Sequence, residues 1–169
     1  MQGGAPIGSL YYYFPRGKEE LGAAAVAFGA AEFAEILQAG VSGAAAPGEA
    51  LAACAVLLAD RLEASGWSDG CPVATVALET VQRSEPLQAA AAEALDGWVA
   101  LVAGRLVALR VAPDAAWALA TTTIAMLEGA ELMTRVSRSR RPLEIAAAHL
   151  AELGRRAAPA REEASSRGG

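Results

Sequence analysis

Prolines 47, 72, 86, 113 and 142 each stand at the head of a stretch dominated by alanine and leucine. No other feature constrains the fold of this chain as strongly. Proline is tolerated in the first turn of a helix, where its missing N–H has no partner to lose, and it stops the helix before it. Alanine and leucine are among the best helix formers, and alanine alone makes up about a quarter of the 169 residues. Reading helices between the prolines predicts segments 18–39, 47–65, 72–83, 86–110, 114–135 and 142–158, with a short helix at 6–13 and a frayed tail from 159. The expected fold is an all-α helical bundle.

Periodicity supports the longer segments. Leu87, Ala91, Leu95, Trp98, Val102, Leu106 and Leu109 step by four and three along one helical face. Leu51, Ala55, Leu58 and Leu62 do the same, as do Leu143, Ala146, Leu150 and Leu153. The helix expected at 114–135 differs, because residues 115–127 carry no charge and leave no clearly polar face. Such a helix is expected to be buried on two sides, one against the core and one against a partner subunit. Alanine-rich faces let helices approach closely, which suits a bundle.

Several function classes drop out. At 54% hydrophobic residues the chain is too apolar for intrinsic disorder. The charge-free runs 36–48 and 115–127 are shorter than the ~18–20 apolar residues a membrane span needs. Met1-Gln2-Gly3-Gly4 has neither a basic nor an apolar signal region, so a soluble, cytoplasmic protein without membrane contact is expected. A net charge of −5 argues against coating nucleic acid by bulk positive charge, while leaving room for a small DNA-reading module on an acidic body. Cys54 and Cys71 read as buried thiols. The single histidine, His149, excludes a multi-histidine metal site, and no metal or cofactor is expected. Without a phosphate loop, a nucleophile elbow or a Cys–His pair at suggestive spacing, the chain is read as non-enzymatic.

The N-terminal block carries more specific chemistry: Gly4-Ala5-Pro6-Ile7-Gly8-Ser9-Leu10-Tyr11-Tyr12-Tyr13-Phe14-Pro15-Arg16-Gly17-Lys18. Gly4 can supply a tight turn and Pro6 a stiff first helical turn. The small residues Ala5, Gly8 and Ser9 let a helix sit deep in a major groove. The tyrosines combine rings that pack with hydroxyls that reach phosphates or base edges. Lys18 opens the next helix, where its charge and the free amides can together hold a phosphate.

This block resembles the second half of the helix-turn-helix of TetR-family transcriptional regulators, in the branch that includes LmrA- and YxaF-like repressors. Gly70-Cys71-Pro72-Val73-Ala74-Thr75-Val76-Ala77-Leu78-Glu79 is similar to a segment of that branch's ligand-binding domain. Leu127-Glu128-Gly129-Ala130, with Arg135-Val136-Ser137-Arg138 and Arg141-Pro142-Leu143-Glu144, is similar to its last two helices. The resemblance implies that Pro6, Ile7, Ser9, Tyr11, Tyr12 and Lys18 face double-stranded operator DNA, while Leu10 and Phe14 pack inward. It also implies a three-helix DNA-binding domain, of which this chain begins at the turn before the third helix, so that DNA binding would be impaired. The expected organisation is a helix-turn-helix remnant at 1–17, a ligand-binding and dimerisation domain at 18–158, and a disordered tail at 159–169.

Trp67, Trp98, Trp117, Thr121 and Met126 are candidates for lining a pocket that takes a small hydrophobic effector. The plainer reading puts the tryptophans in the core and turns the threonine hydroxyls back onto their own helix. Glu128, Gly129, Leu132 and Leu150 are the expected homodimer contacts, with an effector amine as the second reading of Glu128. His149 reads as an interface or surface residue, and Arg135, Arg138, Arg140 and Arg141 as a solvated interhelical loop. The function expected is a ligand-responsive TetR-type repressor; the rival is a small-molecule-binding helical dimer without DNA-binding activity.

Overall fold

The computed structural model describes residues 14–15, 17–80 and 83–158. Among the described residues there are six helices and no strand: α1 (Lys18–Ser42), α2 (Pro47–Ala64), α3 (Pro72–Thr80), α4 (Glu85–Ala108), α5 (Pro113–Ser137) and α6 (Arg141–Ala157). The fold is all-α, as expected. Proline occupies the first or second position of α2, α4, α5 and α6, and Pro72 opens α3, where its absent N–H costs nothing. The helix expected at 6–13 and the tail from 159 lie outside the described residues.

Helix bounds differ from the sequence reading by one or two residues at several ends, and by three at the end of α1. α1 runs on to Ser42, past residue 39, because a side chain from another helix holds its last carbonyls. The Arg105 guanidinium of α4 donates to Val41 O at 3.0 Å and Ala44 O at 2.7 Å, satisfying acceptors that a helix C-terminus otherwise leaves to water. α3 is described over Pro72–Thr80, and residues 81–82 of the expected segment lie outside the described residues. The Thr80 carbonyl accepts from the amides of both Arg83 and Ser84.

α2 packs most extensively on α6, α1 on α4, and α4 on α5. The faces traced by periodicity meet in the core: Leu51, Leu58, Leu62, Leu106, Leu143 and Leu150 are all buried. Trp98 is in the core too, its ring 4.4 Å from that of Phe33 and its indole N–H donating to Ala30 O at 2.9 Å. By length and composition α1 could cross a membrane. In the fold it carries Glu32 and Glu35 mid-helix and buries Val26, Phe33, Leu37 and Val41 against its neighbours.

α5 shows one buried and one exposed face. Ala116, Ala120, Thr123, Ile124, Leu127, Ala130 and Thr134 point into the core. Trp117, Thr121, Gly129, Leu132 and Val136 form the opposite, solvent-facing stripe, with Val136 80% exposed.

Candidate functional site

The chain between α2 and α3 shapes a concavity. Ser65 ends α2, its hydroxyl donating to Leu62 O at 2.9 Å. Gly66 (φ 64°) and Trp67 (φ 69°) are both left-handed, and the Trp67 amide donates to Leu62 O at 2.8 Å. Two such residues in succession reverse the chain; for the tryptophan this conformation carries a cost of about 1 kcal/mol or more. The Asp69 amide donates to the Ser65 hydroxyl at 3.2 Å, so Asp69, Gly70 and Cys71 are delivered beside α1 and α5. Pro72 then seats α3 directly on Gly29 of α1, where any Cβ would overlap the proline ring. The Arg135 guanidinium of α5 likewise lies across Gly70 and donates to Ser68 O at 3.3 Å.

These elements enclose a cavity of about 290 Å³, close to the small end of the range of ligand sites. Phe33 and Ile36 of α1 and Leu58 and Leu62 of α2 supply apolar walls, and Cys71, Pro72 and Glu131 complete the lining. At its rim Arg61 lies 3.4 Å from Glu32 and 3.8 Å from Asp69. All three side chains are substantially exposed, so these pairs shape the mouth more than they stabilise the fold.

Glu131 is the unusual member. It is only 3% exposed. Its Oε1 accepts the Cys71 amide at 2.6 Å, while its buried Oε2 has no hydrogen-bond partner among the described residues. Burial pushes this carboxyl up to about 7, and the like charge of Glu128 adds to the effect; the Cys71 amide, Arg135 and Arg61 pull it back. Burial also raises Glu128, against a hydrogen bond from the Cys71 thiol, and Glu128 Oε1 is another buried atom without a partner among the described residues. Cys71 itself is pushed up to about 12, first by burial and then by Glu128. Its thiol is therefore a poor nucleophile.

The cavity is lined by none of the five residues expected to line one. Trp98 is consumed by the core. Trp67 is half-buried against the core, as is Met126. Trp117 is half exposed on the outer face of α5, and the Thr121 hydroxyl donates back to Trp117 O at 3.0 Å.

The expected dimer set also divides. Gly129 and Leu132 are exposed, and a Cβ on Gly129 would meet open space. Leu150 is fully buried inside its own chain and has no surface to offer a partner, because the α2–α6 contact takes it first. Glu128 turns inward to Cys71 instead of outward to a seam. Lys18 is exposed at the start of α1, and Phe14 is half-buried; Pro6, Ile7, Ser9, Tyr11 and Tyr12 lie outside the described residues.

Sequence reasoning missed Glu131, Glu32, Arg61 and Asp69. The available signal was the pair Glu128 and Glu131 in an otherwise uncharged part of α5, three residues apart and hence neighbours on one side of the helix. Nothing local marks Glu32, Arg61 or Asp69, which come together only through the fold.

Residues 47–149 match the family of the transcriptional regulator LmrA/YxaF-like C-terminal domain. An HTH-type transcriptional regulator of Mycobacterium tuberculosis is 34% identical over 155 residues, covering 89% of this chain and 78% of that protein. The HTH-type regulator YxaF of Bacillus subtilis is 30% identical over 155 residues, covering 92% and 81%. LmrA of Bacillus subtilis is 32% identical over 146 residues, covering 84% and 76%. Among solved structures, the regulatory protein TetR from Rhodobacter sphaeroides superposes with a TM-score of 0.75 at 23% identity, over 88% of this chain and 82% of that one. The reduced form of NemR from E. coli gives 0.73 at 28% identity, over 92% and 83%. The chain therefore belongs to the LmrA/YxaF-like branch of the TetR family of transcriptional regulators.

Proposed function

We propose that this regulator is a ligand-responsive repressor that acts in the cytoplasm as a homodimer, with its effector in the cavity between α1, α2 and α5. One observation carries the reading. α1 supplies one wall of the cavity through Glu32, Phe33 and Ile36, and the same helix begins at Lys18, directly after the block that carries the DNA-reading chemistry. A ligand that shifts α1 therefore shifts whatever Lys18 holds. That is the differential contact an allosteric coupling between two sites requires. Pro6, Ile7, Ser9, Tyr11 and Tyr12 are the proposed base-edge and backbone contacts to operator DNA, with Lys18 on a phosphate.

The outer face of α5 is the proposed partner surface. Trp117, Leu132, Met133 and Val136, with Ile145 of α6, are large apolar side chains left exposed, the kind of surface that a partner subunit covers. In a two-fold dimer the same stripe faces its own copy, and the open space at Gly129 lets the two helices approach. Gly129→Leu is expected to push them apart and leave monomer in light scattering. An unchanged dimer places the seam elsewhere.

The test of the function is fluorescence anisotropy of DNA flanking the gene, titrated with the protein at two salt concentrations. Binding that prefers this DNA over an unrelated duplex, and that weakens as salt rises, is the expected result. Binding at the non-specific level only, at both salts, would overturn the repressor reading and leave a ligand-binding helical dimer.

A further inference from the structure

The cavity lining has an unbalanced charge. Glu32, Asp69 and Glu131 supply carboxyl groups, and Arg61 supplies the one guanidinium. Arg61 spends its charge at the rim, within 4 Å of Glu32 and Asp69, and no ion pair reaches Glu131 among the described residues. Arg135 lowers the cost of a charge on Glu131 from the α5 side, but its guanidinium is held over Gly70 and toward Ser68 O. Deeper in the chain, Glu128 adds a further acid facing Cys71. Glu131, which lines a cavity of mixed polar and apolar walls, thus keeps one buried carboxyl oxygen, Oε2, without a donor among the described residues. A buried acceptor left in this state costs free energy that a ligand donor recovers on binding.

We infer that the cavity selects a small apolar amine, whose protonated nitrogen pairs with the Glu131 carboxylate while its hydrocarbon part fills the space between Phe33, Ile36, Leu58 and Leu62. This rests on the reading of the cavity as the effector site and specifies the chemistry of that effector. A neutral alcohol of the same shape supplies a donor without charge, and a carboxylate meets only repulsion. The volume of about 290 Å³ suits one ring and a short chain rather than a polycyclic drug. The preference is also pH-dependent. Below the titration of Glu131, near 7, the carboxyl is neutral and offers no charge to an ammonium group. Above it the carboxylate is ionised, with Arg61 and Arg135 opposing and Glu128 favouring a bound cation. Affinity for an amine therefore rises with pH through that range, while affinity for an alcohol does not.

The experiment is isothermal titration calorimetry of the purified chain with 2-phenylethylamine, 2-phenylethanol and phenylacetate, at pH 8 and pH 5.5. At pH 8 the amine is expected to bind at least about tenfold more tightly than the alcohol, as a charge-assisted hydrogen bond implies, and phenylacetate not at all. At pH 5.5 the advantage of the amine disappears. Glu131→Gln keeps an acceptor for the Cys71 amide and is expected to retain alcohol binding while losing the amine preference. Retained alcohol binding certifies that the variant is folded, and the pH series on the parent protein needs no variant.

Equal affinity for amine and alcohol at pH 8 would overturn the amine assignment while leaving the cavity a ligand site. A preference that survives in Glu131→Gln, or at pH 5.5, would remove Glu131 from the recognition. If no probe binds at either pH, the effector-cavity reading fails together with the amine assignment.

Discussion

Where α2 meets α6, Gly48 and Gly154 bring two backbones into contact, and Leu51, Ala55, Leu143, Ala146 and Leu150 close the seam with buried hydrocarbon. Where α1, α2 and α5 meet around the loop from Gly66 to Pro72, the same fold leaves about 290 Å³ open and buries a carboxyl with an unsatisfied oxygen. The first region leaves no room for even a Cβ at Gly48 or Gly154. The second keeps space and a desolvated charge, both of which cost stability and neither of which the bundle needs. The seam joins α2 to α6 by close backbone approach; the cavity, which shares only α2 with it, is the proposed effector site.

The largest way to break this contrast is at the seam. A Cβ on Gly154 would lie 2.5 Å from Gly48 N and 2.6 Å from its Cα, and backbone cannot swing aside. Gly154→Val is expected to destabilise the protein by about 3 kcal/mol or more, the upper end for overpacking, read as a lower urea midpoint. An unmoved midpoint would mean that α2 and α6 separate easily and that the two regions are alike.

Next comes the pH dependence that the cavity builds in. The folded-state titration of Glu131 lies at about 7, against an ordinary value of 4.5. The folded chain therefore holds this proton over a range in which the unfolded chain has lost it. Stability from this group is full below about 4.5 and declines as pH rises to about 7, by roughly 3 kcal/mol at most. Glu128, raised in the same direction, steepens the slope. Chemical denaturation at pH 5 and pH 8 should show the parent weaker at pH 8, and Glu131→Gln should flatten the difference. A parent equally stable at both would mean that water or a counter-charge reaches Glu131.

The smallest effect sharpens the contrast from outside. Arg140 joins the start of α6 to α2 through Asp60 at 2.6 Å and Glu63 at 2.7 Å, on the solvent side of the same seam. Exposed pairs of this kind contribute little. Arg140→Ala is expected to leave the urea midpoint nearly unmoved, and a loss as large as that of Gly154→Val would assign the seam's strength to charge instead of close packing.

Much of the architecture was readable from residue order. Proline placement and the four-and-three stepping of leucine and alanine mark the six helices and the inward faces of α2, α4 and α6, because those signals are local and repeat along one helix. The block from Gly4 to Lys18 and the segment from Gly70 carry the family. The cavity was not readable in the same way. Tryptophan drew attention as the obvious pocket lining, yet Trp98 pairs with Phe33 and Trp117 faces outward. Glu32 and Glu131 are far in sequence from Arg61 and Asp69, and all four are ordinary in isolation.

The chain by itself determined that it would be helical, where most helices begin, and to which family of regulators it belongs, since propensity, period and motif are properties of neighbours along the backbone. Tertiary structure alone decided that Leu150 is spent inside the chain, that Glu128 turns inward, and that Glu131 keeps a bare oxygen at a titration point near neutrality. Burial and the company of other charges set those properties, and both arise only when distant segments are brought together.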